Sequence, residues 1–202
     1  MSPADDVARV KTHAREPDPL TFDEVLRLID ATELSSRAYR TRNALIVKIL
    51  FHAALRVSEL VSLNLGQVDF EGRLFVDVRR KGGKVLSSPF NDVVAEAIEQ
   101  YLAERQHLAP EGEPALLRSD RRRRLSARAV QLVVKRAGER AGITRRVTPH
   151  LLRHSSATQL VAIGTPLSVV QGICGHASVT TTQRYVHVST GERRAAVNAL
   201  GS

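Results

Sequence analysis

The chain of 202 residues contains a single cysteine, Cys174, so no disulfide can form within it. This usage fits the reducing conditions of the cytosol, where Cys174 is expected to be a small core residue. No apolar run reaches the roughly 18 residues of a membrane-spanning helix. The N-terminus MSPADDVARVK also lacks the apolar core of a signal peptide. The sequence therefore predicts a cytoplasmic protein that does not enter a membrane.

Two kinds of cofactor site are also missing from the sequence. No glycine-rich loop of the phosphate-binding type occurs. The histidines have no cysteine or second carboxylate at metal-ligand spacing, and five of them are expected to be surface or satisfied core residues: His13, His52, His107, His154 and His187. The sequence therefore predicts no cofactor, neither a metal nor a nucleotide.

The net charge of +9 is unevenly distributed. Residues 1–34 hold eight acidic and four basic side chains, so the rest of the chain carries +13. Only five of the thirty basic residues are lysines, and arginine suits bidentate contacts with phosphate, although a codon bias would produce the same excess. Nucleic acid is the polyanion that this charge favours as a partner.

Capping residues and apolar periodicity predict helices in the first third of the chain. Thr21 and Glu24 form a capping box for a first helix. The segment from Ala44 is apolar on nearly all sides, which predicts a buried central helix that ends at Arg56. Ser58 is a candidate cap for the short helix that follows.

A β-hairpin is predicted next, followed by two more helices. Apolar residues alternate in RLFVDVR, KGGK is the turn and VLSS returns. An amphipathic helix is predicted from about residue 92 to 106, with Tyr101 in the core, and another begins after Ser126. The fold class predicted is α+β and mainly α-helical.

The segment from residue 148 to 188 carries the densest group of reactive side chains. Thr148 followed by Pro149 predicts the start of a helix. Its buried stripe is expected to consist of Leu152, Ser156, Leu160 and Ile163.

Four side chains of this segment can act in chemistry. His150 and Arg153 lie three residues apart and should meet on one strip of the helix. A short apolar helix then runs to Gly175 and His176, and a final turn carries Tyr185. Ionising a phenol at neutral pH costs about 4 kcal/mol, so cations and a base must activate it. A phosphodiester is an electrophile that needs such cations, because its transition state gathers charge on the non-bridging oxygens.

These residues resemble the tyrosine recombinases of the Xer and phage-integrase type. The resemblance lies in HxxR at His150 and Arg153, in the pair GH that ends at His176, and in Tyr185, nine residues later. It extends in the family's order from about Thr21 to Leu200.

Two upstream motifs carry the resemblance further. FHAALRVSELVSL resembles the family's first arginine motif, which implies that Arg56 is catalytic. LFVDVRRKGGK resembles its strand and hairpin turn, which implies a catalytic role for Lys81, with Lys84 as the rival. The family usually has glycine two residues before the arginine, whereas this chain has Ala54, which would be strained if the position needs a positive φ.

The resemblance implies the fold of a tyrosine recombinase catalytic domain, with a small antiparallel β-sheet packed beside a helical core. It implies that the tyrosine attacks a scissile phosphate, forms a 3′-phosphotyrosyl bond and releases a 5′-hydroxyl that later rejoins the strand. In this scheme Tyr185 is the nucleophile. Arg56, Arg153 and His176 hold the phosphate oxygens, and His150 and Lys81 transfer protons. The bond energy stays in the ester, so the reaction needs neither ATP nor a metal.

Other basic residues are candidates for contacts with double-stranded DNA. The turn Arg121, Arg122, Arg123 and Arg124, together with Lys84, is expected to meet backbone phosphates. Arg128 and Gln131, near the start of the helix capped by Ser126, are expected to contact base edges in the major groove. The alternative for the arginine turn is a solvated surface position.

Residues 1–19 are predicted to be a flexible tail or linker stub, and residues 20–202 the catalytic domain. The family's usual N-terminal DNA-binding domain has no counterpart here, so the chain is either truncated or a minimal recombinase, and weak, salt-sensitive DNA binding is expected. The resemblance implies a homodimer on one site and a homotetramer in a synapse, joined through the C-terminal helix that Ser189 or Thr190 can cap. A helix packed on its own domain is the alternative.

Two other functions stay open at this point. A type IB topoisomerase relaxes supercoils with similar residues but needs no partner site. A non-catalytic DNA-binding regulator could keep the fold, although all six chemical positions here carry competent residues.

Overall fold

The structure is a computed structural model that describes six segments of the chain. They are residues 18–36, 39–80, 82–105, 114–121, 123–175 and 190–201. Lys81, Arg122, His176 and Tyr185 lie outside these segments, so the predictions made for them stay predictions.

Eight α-helices and a three-stranded sheet lie within the described segments. The helices are α1 (Phe22–Glu33), α2 (Arg40–His52), α3 (Val57–Ser62), α4 (Asp92–Arg105), α5 (Ala127–Arg140), α6 (Pro149–Ala162), α7 (Leu167–Cys174) and α8 (Thr190–Asn198). The strands are β1 (Val68–Asp69), β2 (Leu74–Arg79) and β3 (Val85–Pro89). None of the described helices is long and apolar enough to cross a membrane.

Three helices begin at the residues that the sequence predicts. Thr21 and Glu24 form a reciprocal capping box, with N···O distances of 2.9 and 3.2 Å. The hydroxyl of Ser126 accepts a hydrogen bond from the backbone of Ala129 at the start of α5. The hydroxyl of Thr148 does the same for Leu151 at the start of α6. These local signals fix helix starts because each satisfies a donor that the helix itself leaves unpaired.

The core is built around α2, as its composition predicts. Every apolar residue from Leu45 to Phe51 is fully buried, and α1, α4 and α6 pack against this helix. Tyr101 of α4 belongs to the same core, and its hydroxyl accepts a hydrogen bond from the backbone of Arg118.

The predicted hairpin is present as a small antiparallel sheet with strand order β1-β2-β3. Phe75 pairs with Ser88 and Arg79 pairs with Val85. The register shifts between Phe75 and Val78, at Asp77, whose φ is +53°. This irregularity buries both Phe75 and Val78 against the helical core.

The end of α2 differs from the prediction. The helix stops at His52 rather than at Arg56, because Ala54 adopts a left-handed conformation with φ of +48°. Arg56 is extended and is the N-cap of α3, and a carboxylate oxygen of Glu59 accepts its backbone N–H at 2.8 Å. The predicted cap, Ser58, lies inside α3, so that prediction is wrong.

Helix α6 is buried along the predicted stripe except at its end. Leu152, Ser156 and Leu160 are buried, but Ile163 is the C-cap and is 48% exposed. The α-helical spacing that predicted its burial no longer applies beyond Ala162.

A second apolar cluster joins α7 to α8. Ala196, Val197 and Leu200 pack with Val170 and Ile173 of α7. The side chain of Asn91 donates to the carbonyl oxygen of Val197 at 3.2 Å. Helix α8 therefore packs on its own domain, which is the alternative that the sequence left open.

Candidate active site

The turn after α2 places a backbone acceptor next to the first predicted arginine. Ala54 is fully buried, and its carbonyl oxygen accepts a hydrogen bond from Nη1 of Arg153. Arg56 follows two residues later. Ala54 thus lies between two arginines that are 97 positions apart in the sequence.

Arg56 is oriented by α3 and by the end of α7. Its Nη1 donates to Oε1 of Glu59 at 2.9 Å, and its Nη2 donates to the carbonyl oxygen of Gly175 at 2.8 Å. The side chain keeps 29% of its surface exposed, whereas that of Glu59 keeps only 2%. The buried carboxylate therefore holds a guanidinium that solvent and solutes can still reach.

Arg153 is 5% exposed and lies near Arg56 and Glu59. Burial lowers the pKa of its guanidinium, and the neighbouring cations Arg56 and Arg80 lower it further, while the carboxylate of Glu59 partly offsets this. Its buried Nη2 meets no acceptor within the segments that the structure describes. A buried donor without an acceptor is costly, so this atom favours an anionic ligand.

A third arginine, Arg80, joins the cluster and was not predicted. It is 7% exposed, and burial lowers the pKa of its guanidinium, with Arg56 and Arg193 adding to the effect. Its only sequence signal is its position directly before Lys81 at the start of the hairpin turn.

The cluster carries excess positive charge. Among the described residues, Arg56, Arg80 and Arg153 lie near one carboxylate, that of Glu59, and Arg193 adds a further positive charge beside Arg80. The thiol of Cys174 does not add to the negative charge, because burial raises its pKa despite the three arginines. This excess of positive charge in a largely buried place favours a bound anion.

His150 and Arg153 differ in exposure, since His150 is exposed whereas Arg153, one turn later on α6, is buried. That the two side chains meet on one strip of the helix stays a prediction. His150 lines a groove of about 470 Å³ together with Arg128 and Gln131. The groove therefore brings a predicted catalytic residue together with both predicted base contacts. Lys135 and Arg146, for which the sequence predicted no role, line it as well.

The basic turn before α5 has two kinds of arginine. Arg121 and Arg123 are exposed, as is Lys84 on the hairpin. Arg124 instead points inward, where it donates to the carbonyl oxygens of Val61 and Leu63 at 2.9 and 3.0 Å. Arg124 therefore holds the end of α3, a structural role that the sequence did not predict. The contacts of this turn with DNA stay predictions.

Solved structures share this arrangement of helices and sheet. The crystal structure of XerA recombinase matches with a TM-score of 0.72 and 32% identity, over 89% of this chain and 63% of that one. XerH recombinase bound to its difH substrate matches with a TM-score of 0.69 and 27% identity, over 85% of this chain and 50% of that one. The fold is that of a tyrosine recombinase catalytic domain, as predicted.

Sequence comparison agrees with the fold. XerD of Mycobacterium leprae is 40% identical over 184 residues, which cover 87% of this chain and 58% of the relative. XerA of Pyrococcus horikoshii is 35% identical, over 90% of this chain and 60% of the relative. This chain therefore spans about three fifths of the length of these relatives. Residues 19–192 match the phage integrase family, and the chain belongs to that family.

Proposed function

We propose that the chain is the catalytic part of a site-specific DNA recombinase that cleaves and rejoins strands through a 3′-phosphotyrosyl intermediate. The observation that carries this proposal is the convergence of Arg56 and Arg153 at one end of α7. Elements far apart in the sequence supply them, and both contribute to one cationic cluster.

The chemistry of a phosphodiester fits this cluster. In the pentacovalent transition state, negative charge gathers on the non-bridging oxygens, and fixed guanidinium groups stabilise it without reorganising. A phosphate oxygen would also supply the acceptor that Nη2 of Arg153 lacks among the described residues. His176 follows directly after Gly175, whose carbonyl oxygen is bound by Arg56, and is the third proposed ligand of the phosphate.

The remaining roles concern one nucleophile and two protons. The phenol oxygen of Tyr185 forms a bond to phosphorus as its proton passes to His150. The bond between phosphorus and the 5′-oxygen breaks, and Lys81 gives that oxygen a proton. Rejoining runs the same steps backwards, with the 5′-hydroxyl as nucleophile, so the ester bond is conserved and no external energy source is required.

The proposed partner is double-stranded DNA lying along the groove beside His150. XerH has been solved with its difH substrate, and the likeness of the two folds supports the same class of ligand here. Arg128 and Gln131 are the proposed base contacts, whereas Arg121, Arg123 and Lys84 are exposed and available to phosphates.

Assembly into a homodimer on one site and a homotetramer in a synapse is proposed to use α8. The buried residues Ala196 and Val197 of α8 and Leu200 just after it form an apolar face that here packs on the same domain. The same face could occupy the equivalent cluster of a neighbouring protomer. Exchange of this kind joins protomers at low cost because the contacts are already optimised within one chain.

Relaxation of supercoils and non-catalytic regulation are less favoured. The relatives with the same fold are recombinases and integrases. A relaxation assay run beside a two-site recombination assay separates the first alternative, and loss of strand cleavage would favour the second.

The proposed activity is tested with a pool of nicked duplexes whose central sequence is randomised, so that the unknown target is represented. Cleavage beside a nick releases a short fragment and traps the covalent complex. Wild type and Tyr39→Phe should form an adduct that survives a denaturing gel, whereas Tyr185→Phe should form none. An adduct formed by Tyr185→Phe, or none formed by wild type, would overturn the proposal.

A further inference from the structure

Arg80 is a buried cation that the proposed mechanism does not use. It lies between β2 and the hairpin turn, and its backbone N–H donates to the carbonyl oxygen of Lys84 at 2.8 Å. The Nη1 of its side chain donates to the carbonyl oxygen of Ile173 in α7 at 3.1 Å. The Nη2 donates to the hydroxyl of Ser88 in β3 at 3.4 Å. One side chain therefore joins the hairpin to the last turn of α7.

Gly175 is shaped to admit this arginine. It ends α7 in the left-handed conformation, with φ of +54° and ψ of +45°. A Cβ atom at this position would lie 2.0 Å from Nη1 of Arg80 and 3.0 Å from its Cζ. Glycine is therefore needed both for the backbone turn and for the close approach of the guanidinium.

Arg56 also contacts Gly175, but through the carbonyl oxygen of that residue. Its Nη2 binds the carbonyl oxygen of Gly175, and Arg80 packs against the Cα of Gly175. The end of α7 is thus held between α3 and the hairpin. The two residues that these contacts fix, Arg80 and Gly175, directly precede the proposed catalytic residues Lys81 and His176 in the chain.

We propose that Arg80 is a positioning residue that couples the lysine hairpin to the end of α7, so that Lys81 and His176 are placed as one unit. The coupling itself is a property of the fold, and only its catalytic consequence rests on the proposed function. A buried charge is a poor source of stability compared with an apolar side chain of similar size. Its two directed hydrogen bonds, by contrast, fix the relative position of two elements.

The coupling can be measured without DNA, because Cys174 is the only cysteine in the chain and is fully buried beside this contact. Its reaction with dithiobis-nitrobenzoate requires the end of α7 to open. Arg80→Met should be labelled at least about tenfold faster than wild type, with Arg80→Lys in between. Arg79→Met is the matched control, because Arg79 is the adjacent arginine of β2 and is exposed; it should label at the wild-type rate.

Labelling is compared well below the unfolding midpoint of every variant, so that it reports local opening. Equal rates for Arg80→Met and Arg79→Met would overturn the proposal. The proposal would also be overturned if a fall in global stability, measured by denaturation, fully explained the faster labelling of Arg80→Met.

The catalytic consequence is measured as single-turnover cleavage at saturating protein, on a duplex selected from the randomised pool. Arg80→Met should be slower by about 10-fold to 100-fold, since small displacements of catalytic groups have effects of this size. Part of the deficit should disappear when sulfur replaces the 5′-bridging oxygen, because a thiolate leaves without the proton that Lys81 supplies. Arg79→Met should show no such deficit.

The outcomes separate the two proposals. If wild type forms no adduct, the proposed function fails, but cysteine labelling still decides whether Arg80 couples the two elements. If wild type cleaves and Arg80→Met cleaves like Arg79→Met, or shows the same deficit with oxygen and sulfur, the positioning role through Lys81 is wrong.

Discussion

The left-handed alanine after α2 gives a prediction whose size follows from opposing effects. Ala54 has φ of +48° and is fully buried. A non-glycine residue in this conformation costs about 1–2 kcal/mol. Ala54→Gly removes that strain, but it also removes a buried methyl worth about 0.8 kcal/mol. In addition, the greater conformational entropy of glycine stabilises the unfolded chain by about 0.5–1 kcal/mol. The change in the free energy of unfolding should therefore stay within about 1 kcal/mol of zero.

Ala53→Gly is the matched control. Ala53 is also fully buried, but its φ is −97°, so the substitution loses the methyl and the entropy term without relieving strain. We expect it to destabilise the protein by about 1.3–1.8 kcal/mol. Urea unfolding should thus separate the two variants by about 1–2 kcal/mol. If Ala54→Gly destabilises as much as Ala53→Gly, Ala54 is not strained and the explanation is wrong.

Three further predictions concern charge. Burial lowers the pKa of His52 to about 4, so its contribution to stability is present above its unfolded pKa and is lost as the pH falls. Between pH 7 and 5 the free energy of unfolding should therefore fall by about 2 kcal/mol. In urea unfolding His52→Gln should show a smaller fall, and an equal fall in that variant would contradict the prediction. Arg128→Ala should relax sequence preference at one position in a selection from random duplexes, whereas Arg123→Ala should weaken binding to all sequences alike and lower the salt slope; a uniform loss for Arg128→Ala would refute base contact. Arg124→Ala should lower the free energy of unfolding by about 1–3 kcal/mol, because the carbonyl oxygen of Val61 loses the donor that Arg124 supplies and that of Leu63 keeps only the backbone N–H of Leu116; unchanged stability would contradict this structural role.

Local signals in the sequence predicted much of the fold. The caps at Thr21, Ser126 and Thr148 depend on residues within one helical turn, and the hairpin depends on alternation and a glycine turn. The apolar surface of α2 needs only its own composition to indicate burial. Features of this kind are encoded over a few residues, and the structure contains each of them.

Features that depend on contacts between distant elements were missed. Arg80 is buried only because the hairpin packs on α7, 93 positions away, and apart from its place directly before Lys81 nothing in the sequence distinguishes it from Arg79. Arg124 looked like a surface arginine of a basic turn, but it binds acceptors 61 and 63 positions earlier. The end of α2 was placed too late because the left-handed turn at Ala54 is fixed by packing around it. The family motif, by contrast, selected Arg56 and Arg153, which the structure brings together.

Arg56 and Arg153 are proposed to balance the charge of one DNA phosphate, and a neutral substrate tests this role most directly. Cleavage rates are compared for wild type, Arg56→Ala and Arg153→Ala, after circular dichroism has shown that the variants are folded. One duplex carries a normal scissile phosphodiester, and the other carries a methylphosphonate at the same position. On the phosphodiester each variant should lose about 100-fold to 1,000-fold. On the methylphosphonate, which lacks the negative charge, the loss should shrink by at least about tenfold. An equal loss on both substrates, or no loss on either, would contradict this role of the two arginines.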